Sequence, residues 1–259
     1  MVLSEHFLLR SNLRNFMIMA GKIIQLKEAK ERLPEIAKLV RAGGVIALPT
    51  DTIYGVACSI HSTTALERII QLKGRSSKKP MAICLDAVNS ISHWCDTSGV
   101  PTGLLDALLP GPVTVLLPRR QTNDPLNPAL NPGVSRVGVR VPNHDFVRAV
   151  CSLLSHPAPA HPLVLTSANP SGDQSTLSIE EFSSIWSSFD LIIDGGPISL
   201  DENHDSRRAG STIVDLCLAS QGLYTIVRRG NAFKPTVDIL EKQFKLQPLL
   251  EDQFANSHS

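Results

Sequence analysis

The sequence lacks the features that mark several large classes of protein. Aromatic residues make up only 5% of its 259 residues, and its five cysteines are widely spaced without a C-x-x-C pair. An odd, dispersed set of cysteines argues against a disulfide framework or a zinc ribbon and favours a reducing compartment. No apolar run reaches the roughly 18 residues that a membrane-spanning helix needs. The N-terminus also lacks the continuous apolar core of a secretory signal.

The common nucleotide-binding and hydrolase motifs are absent as well. The sequence contains no G-x-x-x-x-G-K-[ST], G-x-G-x-x-G, H-E-x-x-H or G-x-S-x-G pattern. Its histidines are scattered without the spacing of metal ligands. The formal net charge is +1, so any anion site must be built from bases that cluster locally.

What is present indicates an α/β domain. Apolar residues account for 42% of the chain and charged residues for 19%, which is enough apolar material for a sizeable core. Helical spacing of apolar residues at 27–44, 64–75, 144–154 and 178–186 alternates with short apolar runs such as VIAL, MAICL, VTVLL and LVLTSA. This alternation predicts a single twisted mixed sheet flanked by helices.

The chain divides into three predicted segments: an N-terminal extension at 1–19, a main α/β domain at 20–235, and a C-terminal helix and tail at 236–259. In the extension, Arg10 and Arg14 lie among apolar residues, as in a transit peptide, whereas Glu5 argues against one. Two alternatives stay open for this extension: mitochondrial import, or a plain tail with an alternative start at Met17 or Met19.

The stretch PTDTIYG follows directly behind the apolar run GVIAL. A strand that ends at Pro49 delivers the next residues to its carboxyl end, where α/β sheets place ligands. Hydroxyl groups are supplied there by Thr50, Thr52 and Tyr54. The structural alternative is a tight turn in which Asp51 makes a local hydrogen bond.

A basic run, KGRSSKKP, holds four cations without an intervening acid: Lys73, Arg75, Lys78 and Lys79. Cations packed this closely repel one another unless an anion lies between them. Arginine can bind two phosphate oxygens at once, whereas lysine acts as a point charge. The run therefore favours a triphosphate site, with a solvated basic turn and an RNA backbone site as alternatives.

Small polar residues also follow the apolar run PLVL in the stretch LTSANPSG, namely Ser167, Asn169 and Ser171. Their hydroxyls and backbone amides are suited to surround a phosphate or carboxylate, although turn chemistry alone also explains such residues. In VGVRVP, Arg140 points away from the face that its apolar neighbours occupy, so it needs an anionic partner or water. Ser211 in STIVD and Arg228 in VRRG add polar groups at other strand ends.

Taken in order, the blocks PTDTIYG, KGRSSKKP, PGPVT, VGVRVP, TSANPSG, STIVD and VRRG resemble the YrdC-like family of threonylcarbamoyl-adenylate synthases. The resemblance covers about residues 20 to 230. Each block is weak alone, but seven blocks in one order across one domain are specific. The resemblance implies a twisted α/β domain with a basic concave groove. It also implies an enzyme that joins L-threonine, bicarbonate or carbon dioxide, and ATP into threonylcarbamoyl-adenylate, with release of pyrophosphate.

The resemblance assigns residues to each substrate position by position. The threonine set is Thr52, Cys84, Arg140, Ser167 and Ser211, with Arg140 on the carboxylate. The ATP set is Arg75, Lys79, Arg136, Asn169, Thr176 and Arg228. Further groove residues are Thr50, Tyr54, Lys73 and Ser171. Cys84 and Arg136 depart from the family pattern, in which histidine and a small hydroxyl residue are common, and no side chain is identified as a catalytic base.

The resemblance further implies a cofactor and partners. Mg²⁺ is expected with ATP, and a separate transferase is expected to move the threonylcarbamoyl group onto the adenosine next to the tRNA anticodon. We expect a cytoplasmic protein, with a mitochondrial pool if the extension acts in import. Two rival hypotheses are an RNA-binding module that uses the same groove and a carbamoyltransferase of hydrogenase maturation. The near-neutral charge and the scarcity of aromatic residues on the motif loops disfavour the first, and the absence of paired-cysteine zinc motifs disfavours the second.

Overall fold

The computed structural model describes residues 22–74, 80–156, 160–170, 172–198 and 208–249. Its strands are β1 (Lys22–Gln25), β2 (Ile46–Leu48), β3 (Gly55–Ser59), β4 (Ala82–Cys84), β5 (Val113–Pro118), β6 (Arg136–Arg140), β7 (Leu163–Ser167), β8 (Leu191–Asp194), β9 (Thr212–Asp215), β10 (Leu223–Arg228) and β11 (Gln247–Pro248). Its α-helices are α1 (Leu26–Glu31), α2 (Leu33–Arg41), α3 (Thr63–Leu72), α4 (Ile91–Trp94), α5 (Leu104–Leu108), α6 (Asp145–Ser155) and α7 (Phe233–Asp238). The 3₁₀ segments are Val88–Ser90, Glu180–Ser188 and Ala219–Gln221, and a π-helical turn covers Ile239–Gln243.

The strands form one mixed sheet in the order β1-β8-β2-β3-β7-β4-β6-β5-β9-β10-β11. The sheet contains antiparallel pairs, such as β2 with β3 and β5 with β6, and parallel pairs, such as β4 with β6 and β5 with β9. Helices pack on both faces of this sheet. The predicted fold class, a single mixed sheet flanked by helices, is confirmed.

The two faces of the sheet are covered unequally. On one face, α3 packs on the larger apolar core, which includes Ile83, Val115 and Val139. On the other face, α2 and α6 cover five adjacent strands through residues such as Ile36 and Phe146. In their order across the sheet these strands are β1, β8, β2, β3 and β7. The same face over β4, β6, β5 and β9 holds the residues that line a cavity. Covering half of one face therefore leaves a concavity beside the helices.

Two predicted helices differ from the structure, and one strand was not predicted. The helix predicted at 27–44 is two helices, with Arg32 between them and Pro34 in the first turn of the second. Proline has no backbone N–H and clashes with the preceding turn, so it starts a helix better than it continues one. The helix predicted at 178–186 is the 3₁₀ segment Glu180–Ser188. The stretch GVACS, for which the sequence pattern predicts no element, is strand β3, and all five of its residues are buried.

The C-terminal segment packs on the main domain as far as residue 249. Leu240 is fully buried in the larger core, and Leu246 lies in the same cluster. Tyr224 on β10 donates a hydrogen bond of 2.7 Å to Glu241, and β11 pairs with β10. In the described ranges, no helix combines the length and apolar character needed to cross a bilayer.

Candidate functional site

A cavity of about 260 Å³ opens on the uncovered half of the sheet. Its lining includes small residues that form the floor, Gly55 on β3, Ala82 on β4 and Gly138 on β6. A Cβ atom at position 138 would lie 3.1 Å from Thr114 Cγ2 and 3.2 Å from Ala82 Cβ. Because those distances are shorter than ordinary carbon contacts, glycine keeps this part of the floor open.

The motif loop PTDTIYG joins β2 to β3 at one end of the cavity. Thr50 Oγ1 accepts hydrogen bonds from the backbone N–H groups of Thr52 and Ile53 and donates to the Ile53 carbonyl at 2.7 Å. Its single proton is used in that last bond, so Thr52 Oγ1 donates in the 3.1 Å contact between the two hydroxyls. Both threonines are buried. Their hydroxyls therefore shape the turn as well as the site.

Tyr54 joins the motif loop to the segment that follows β8. Its ring packs against Phe182 with centroids 5.8 Å apart, and its hydroxyl accepts from Gly195 N at 2.9 Å and donates to the Gly196 carbonyl at 2.7 Å. Burial raises the pKa of Tyr54 to about 12. A Cβ atom at Gly195 would approach Pro49 Cγ to 2.8 Å, so glycine lets the segment after β8 come this close. Tyr54 holds that segment against the motif loop.

Arg140 extends from the end of β6 to the motif loop. Its Nη2 atom donates to Asp51 Oδ1 at 2.5 Å and to Thr52 Oγ1 at 3.3 Å. Asp51 Oδ2 accepts a bond of 2.9 Å from the backbone N–H of Asn143. The Arg140 and Asp51 side chains are 8% and 7% exposed. The anionic partner that the sequence required for Arg140 is therefore Asp51 in the protein itself.

A second arginine, Arg228, lies at the same end of the cavity. Its Nε and Nη2 atoms donate to the Ser211 carbonyl at 3.0 and 2.7 Å, and Nη2 also donates to Ser211 Oγ at 3.0 Å. Ser211 Oγ lies 2.7 Å from Thr114 Oγ1. Burial and, to a smaller extent, the nearby charge of Arg140 lower the pKa of Arg228. Asp51 pairs with Arg140 alone, so the two guanidinium groups together leave excess positive charge, which suits an anionic ligand.

Arg136 lies at the rim, where it pairs with Asp215 across strand β5. Its side chain is 49% exposed. Apolar side chains of Leu116, Val134 and Val227 line the cavity near this rim. This end combines an apolar wall with a polar pair and differs in character from the two-arginine end.

Lys73 does not line the cavity but fixes a loop that does. It is 2% exposed, and its Nζ atom donates to the Ser167 carbonyl at 2.7 Å, to Ser167 Oγ at 3.1 Å and to the Asn169 carbonyl. Asn169 in turn donates to the carbonyls of Pro170 and Asp173 at 2.8 and 2.7 Å. Ser167 lines the cavity, whereas Asn169 is buried in the loop behind it.

The structure brings together the predicted residues that line the cavity: Thr50, Tyr54, Arg136, Arg140, Ser167, Ser211 and Arg228. Cys84 is fully buried, with its sulfur 3.8 Å from that of Cys151 beneath α6, and is not among the lining residues. Thr176 is buried and reaches the motif loop through its carbonyl, which accepts from Tyr54 N at 2.9 Å. Arg75, Lys79 and Ser171 lie outside the described residues. Their assignments, and the basic character of the whole groove, stay predictions.

Two polar residues that contact predicted site residues, Asp51 and Thr114, are not in the predicted set. The sequence predicts Asp51 only as a turn former, although it stands inside the motif PTDTIYG. Thr114 stands inside the block PGPVT, and its hydroxyl completes the contact with Ser211. Neither residue has a local pattern that points to a ligand. Only their positions inside the blocks PTDTIYG and PGPVT, which resemble the family, could have indicated a place in the site.

Comparisons with known proteins agree with this geometry. The Sua5/YciO/YrdC family model, described as telomere recombination, matches residues 38–230. Threonylcarbamoyl-AMP synthase from Mus musculus is 44% identical over 209 residues, which cover 81% of this chain and 70% of the relative. Threonylcarbamoyl-AMP synthase from Nitrosococcus oceani is 36% identical over 182 residues, covering 66% of this chain and 93% of that relative.

A solved structure of a P. abyssi Sua5 variant superposes with a TM-score of 0.66 at 26% identity. The match covers 81% of this chain, and this chain spans 60% of that Sua5 chain. The mixed sheet and its cavity thus define an α/β domain of the Sua5-like class. The chain belongs to the Sua5/YciO/YrdC family.

Proposed function

We propose that the protein is a threonylcarbamoyl-AMP synthase, which joins L-threonine, carbon dioxide or bicarbonate, and ATP into threonylcarbamoyl-adenylate and pyrophosphate. The observation that carries the proposal is 44% identity to the Mus musculus synthase over 209 residues, and the residues that line the cavity lie within the range 38–230 matched by the family model. The relative from N. oceani supports the same activity for this region, because the shared segment covers 93% of that enzyme. Both relatives are threonylcarbamoyl-AMP synthases, which favours a synthase over an RNA-binding module for this protein.

The two ends of the cavity suit different parts of the substrates. The end with Arg140 and Arg228 would receive the threonine carboxylate, with hydroxyls of Ser167 and Ser211 nearby. The nucleotide would extend toward the apolar rim near Arg136. The residues assigned to its phosphates, Arg75 and Lys79, follow the C-terminal end of α3 in the sequence.

The chemistry needs no protein nucleophile. Threonine reaches the site as an ammonium ion and loses two protons to water or a substrate phosphate as its nitrogen bonds to the carbon of carbon dioxide. A carbamate oxygen then bonds to the α-phosphorus of ATP. The bond between that phosphorus and its bridging oxygen breaks, and pyrophosphate leaves with the electron pair. Both bonds form between substrates.

The chain's contribution is to position the reactants and to balance charge. Arg140 is held by two acceptors, and Arg228 by the carbonyl and hydroxyl of Ser211, so neither guanidinium needs to reorganise far to meet an anion. Donors fixed in a half-buried site stabilise developing negative charge more strongly than the same donors do in water. Holding three reactants together also removes the entropic cost of their encounter.

Mg²⁺ would enter this site on the ATP phosphates. The described residues hold no group of three or more histidine, cysteine, aspartate or glutamate side chains suited to a metal. The carboxylates of Asp51 and Asp215 already pair with arginines. This donor set fits an ion carried by phosphate oxygens and water rather than a protein cage. When bound, the ion would spread the negative charge of the phosphates during displacement.

The product would pass to a separate threonylcarbamoyl transferase that modifies tRNA next to the anticodon. We propose a cytoplasmic site of action, with a mitochondrial pool as the alternative that the basic residues of the N-terminal extension raise. Fluorescent fusions of the full chain and of a chain begun at Met19 would separate these two locations, since only the full chain should enter mitochondria if the extension is a transit segment.

The activity is tested by incubating the protein with labelled bicarbonate, L-threonine, ATP and Mg²⁺ and identifying the product by mass spectrometry. Omitting each substrate in turn should abolish the labelled adenylate. Arg140→Gln should also abolish it, whereas Arg120→Gln, at an exposed arginine away from the cavity, should leave it unchanged. Failure of the folded native protein to form the adenylate would overturn the proposal, and RNA would become the next ligand to test.

A further inference from the structure

The ion pair between Asp51 and Arg140 joins two distant parts of the site. Asp51 lies in the loop between β2 and β3, and Arg140 lies at the end of β6. Strands β3, β7 and β4 lie between β2 and β6 in the sheet, so the pair crosses the end of several strands. The two residues are 89 positions apart in the sequence.

Both carboxylate oxygens of Asp51 are held within the protein, and Asp51 is not among the residues that line the cavity. Its Oδ1 atom accepts from Arg140 at 2.5 Å, its Oδ2 atom accepts from Asn143 N at 2.9 Å, and its side chain is 7% exposed. A carboxylate held on both oxygens and shielded from water has a fixed direction. It therefore fixes the position of the guanidinium that it binds.

Arg140 is only partly satisfied by this arrangement. Its Nη2 atom has two acceptors, Asp51 and Thr52, whereas its buried Nε atom has no acceptor among the described residues. Buried donors nearly always have a partner in folded proteins. An unmatched donor on an arginine that lines the cavity points to a ligand oxygen as the missing partner.

Charge balance leads to the same conclusion. Arg140 and Arg228 share one end of the cavity, and Asp51 compensates for one of their two charges. A single carboxylate would complete the neutralisation. Without Asp51, the two guanidinium groups would repel each other and would favour a dianion such as phosphate instead.

We infer that Asp51 is a positioning residue for substrate binding, which holds Arg140 in place and matches the charge of this end of the cavity to one carboxylate. This inference rests on the proposed function, because it takes threonine as the carboxylate. Asp51 itself does not contact threonine. Its effect is transmitted entirely through Arg140.

Calorimetric titration of the full chain with L-threonine, and separately with ATP and Mg²⁺, tests this role. Asp51→Asn should weaken threonine binding about 10-fold or more, the scale of a lost charged hydrogen bond, and should change the ATP dissociation constant by less than about 2-fold. Inorganic phosphate should compete with threonine more strongly in the variant than in the native protein. Asp145→Asn, at an 89% exposed aspartate on α6 that also pairs with an arginine, is the matched control and should bind threonine normally.

Comparing Arg140→Gln with the double variant keeps the test decisive if Asp51→Asn alone fails to fold, because this comparison does not need that single variant. Adding Asp51→Asn to Arg140→Gln should cause no further loss of threonine affinity, because the removed carboxylate has no guanidinium left to position. A further loss in the double variant, or equal threonine binding by Asp51→Asn and the native protein, would overturn the positioning role alone. Absence of threonine binding by the native protein would instead overturn the proposed function.

Discussion

Lys73 is buried, and its ammonium group donates a hydrogen bond of 2.7 Å to the main-chain carbonyl of Ser167. Ser167 ends strand β7 and lines the cavity, whereas Lys73 follows helix α3 on the opposite side of the loop. A buried lysine is tolerated only where its charge meets several acceptors, as it does here with oxygens of Ser167 and Asn169. The predicted groove lysine thus acts by holding the loop.

Lys73→Met should lower the free energy of unfolding by about 2 kcal/mol, because methionine removes the charged donor to the Ser167 and Asn169 carbonyls. Urea denaturation followed by circular dichroism measures this change. Lys30→Met is the matched control, since Lys30 is exposed on α1, and it should shift the free energy by no more than about 0.5 kcal/mol. Equal unfolding midpoints for Lys73→Met and the native protein would show that the loop does not depend on this lysine.

Gly138→Ala should reduce substrate binding by raising the floor of the cavity. The new Cβ would lie within 3.3 Å of Thr114, Ala82 and Leu116, so we expect a stability loss of about 1–3 kcal/mol together with weaker threonine binding. Gly99→Ala is the control, because a Cβ there meets Ser220 at an ordinary 3.4 Å. Thermal unfolding and threonine titration would contradict the prediction if the two variants behaved alike.

Tyr54 should make the stability of the protein depend on pH under alkaline conditions. Burial raises its pKa to about 12 in the folded protein, against the ordinary tyrosine value of 10.0. Above pH 10 the unfolded chain releases the phenolic proton while the folded chain keeps it, so stability falls as pH rises toward 12. The loss approaches about 1.4 kcal/mol per pH unit.

Tyr54→Phe cannot ionise at this position, so its free energy of unfolding should decline less steeply than that of the native protein between pH 10 and 12. Urea titrations at several pH values measure the two slopes. Below pH 10 the variant should be less stable by about 1 kcal/mol, because Gly195 N and the Gly196 carbonyl lose a partner. Parallel slopes would mean that the Tyr54 hydroxyl does not set the alkaline limit.

Arg75→Ala should weaken the use of ATP by about 2 kcal/mol, the scale of a charged hydrogen bond that is no longer made. The prediction comes from the basic run KGRSSKKP, in which arginine is the residue best suited to bind two phosphate oxygens. Steady-state kinetics with varied ATP would measure kcat/KM, and threonine affinity measured without ATP should stay unchanged. Unaltered turnover would remove Arg75 from the ATP set.

Local sequence patterns predicted the long amphipathic and β-branched elements but not strand β3. GVACS is short and contains glycine, alanine, cysteine and serine, none of which favours a strand strongly. It is a strand because β2 and β7 pair with it on either side, and all five residues are buried. Tertiary pairing overrode weak local preference, which no short window of sequence reveals.

The position of Cys84 shows a similar limit. Cys84 and Ala82 share one face of β4, so alternation along the strand directs both toward the side that holds the cavity. Ala82 lines the cavity, but Cys84 lies under α6 against Cys151. The extent of α6 over the sheet decides that position 82 lines the cavity and position 84 does not. This extent depends on packing between β4 and α6, whose residues Cys84 and Cys151 are 67 positions apart in the sequence.

The sequence by itself determined the fold class and the family, because apolar periodicity and the order of seven short blocks are local properties that survive without coordinates. Only the tertiary structure decided which polar groups meet. Arg140 is joined to Asp51, and Lys73 to Ser167, across 89 and 94 positions of sequence. Such contacts depend on the order of strands in the sheet, which sets distances between residues that no spacing along the chain encodes.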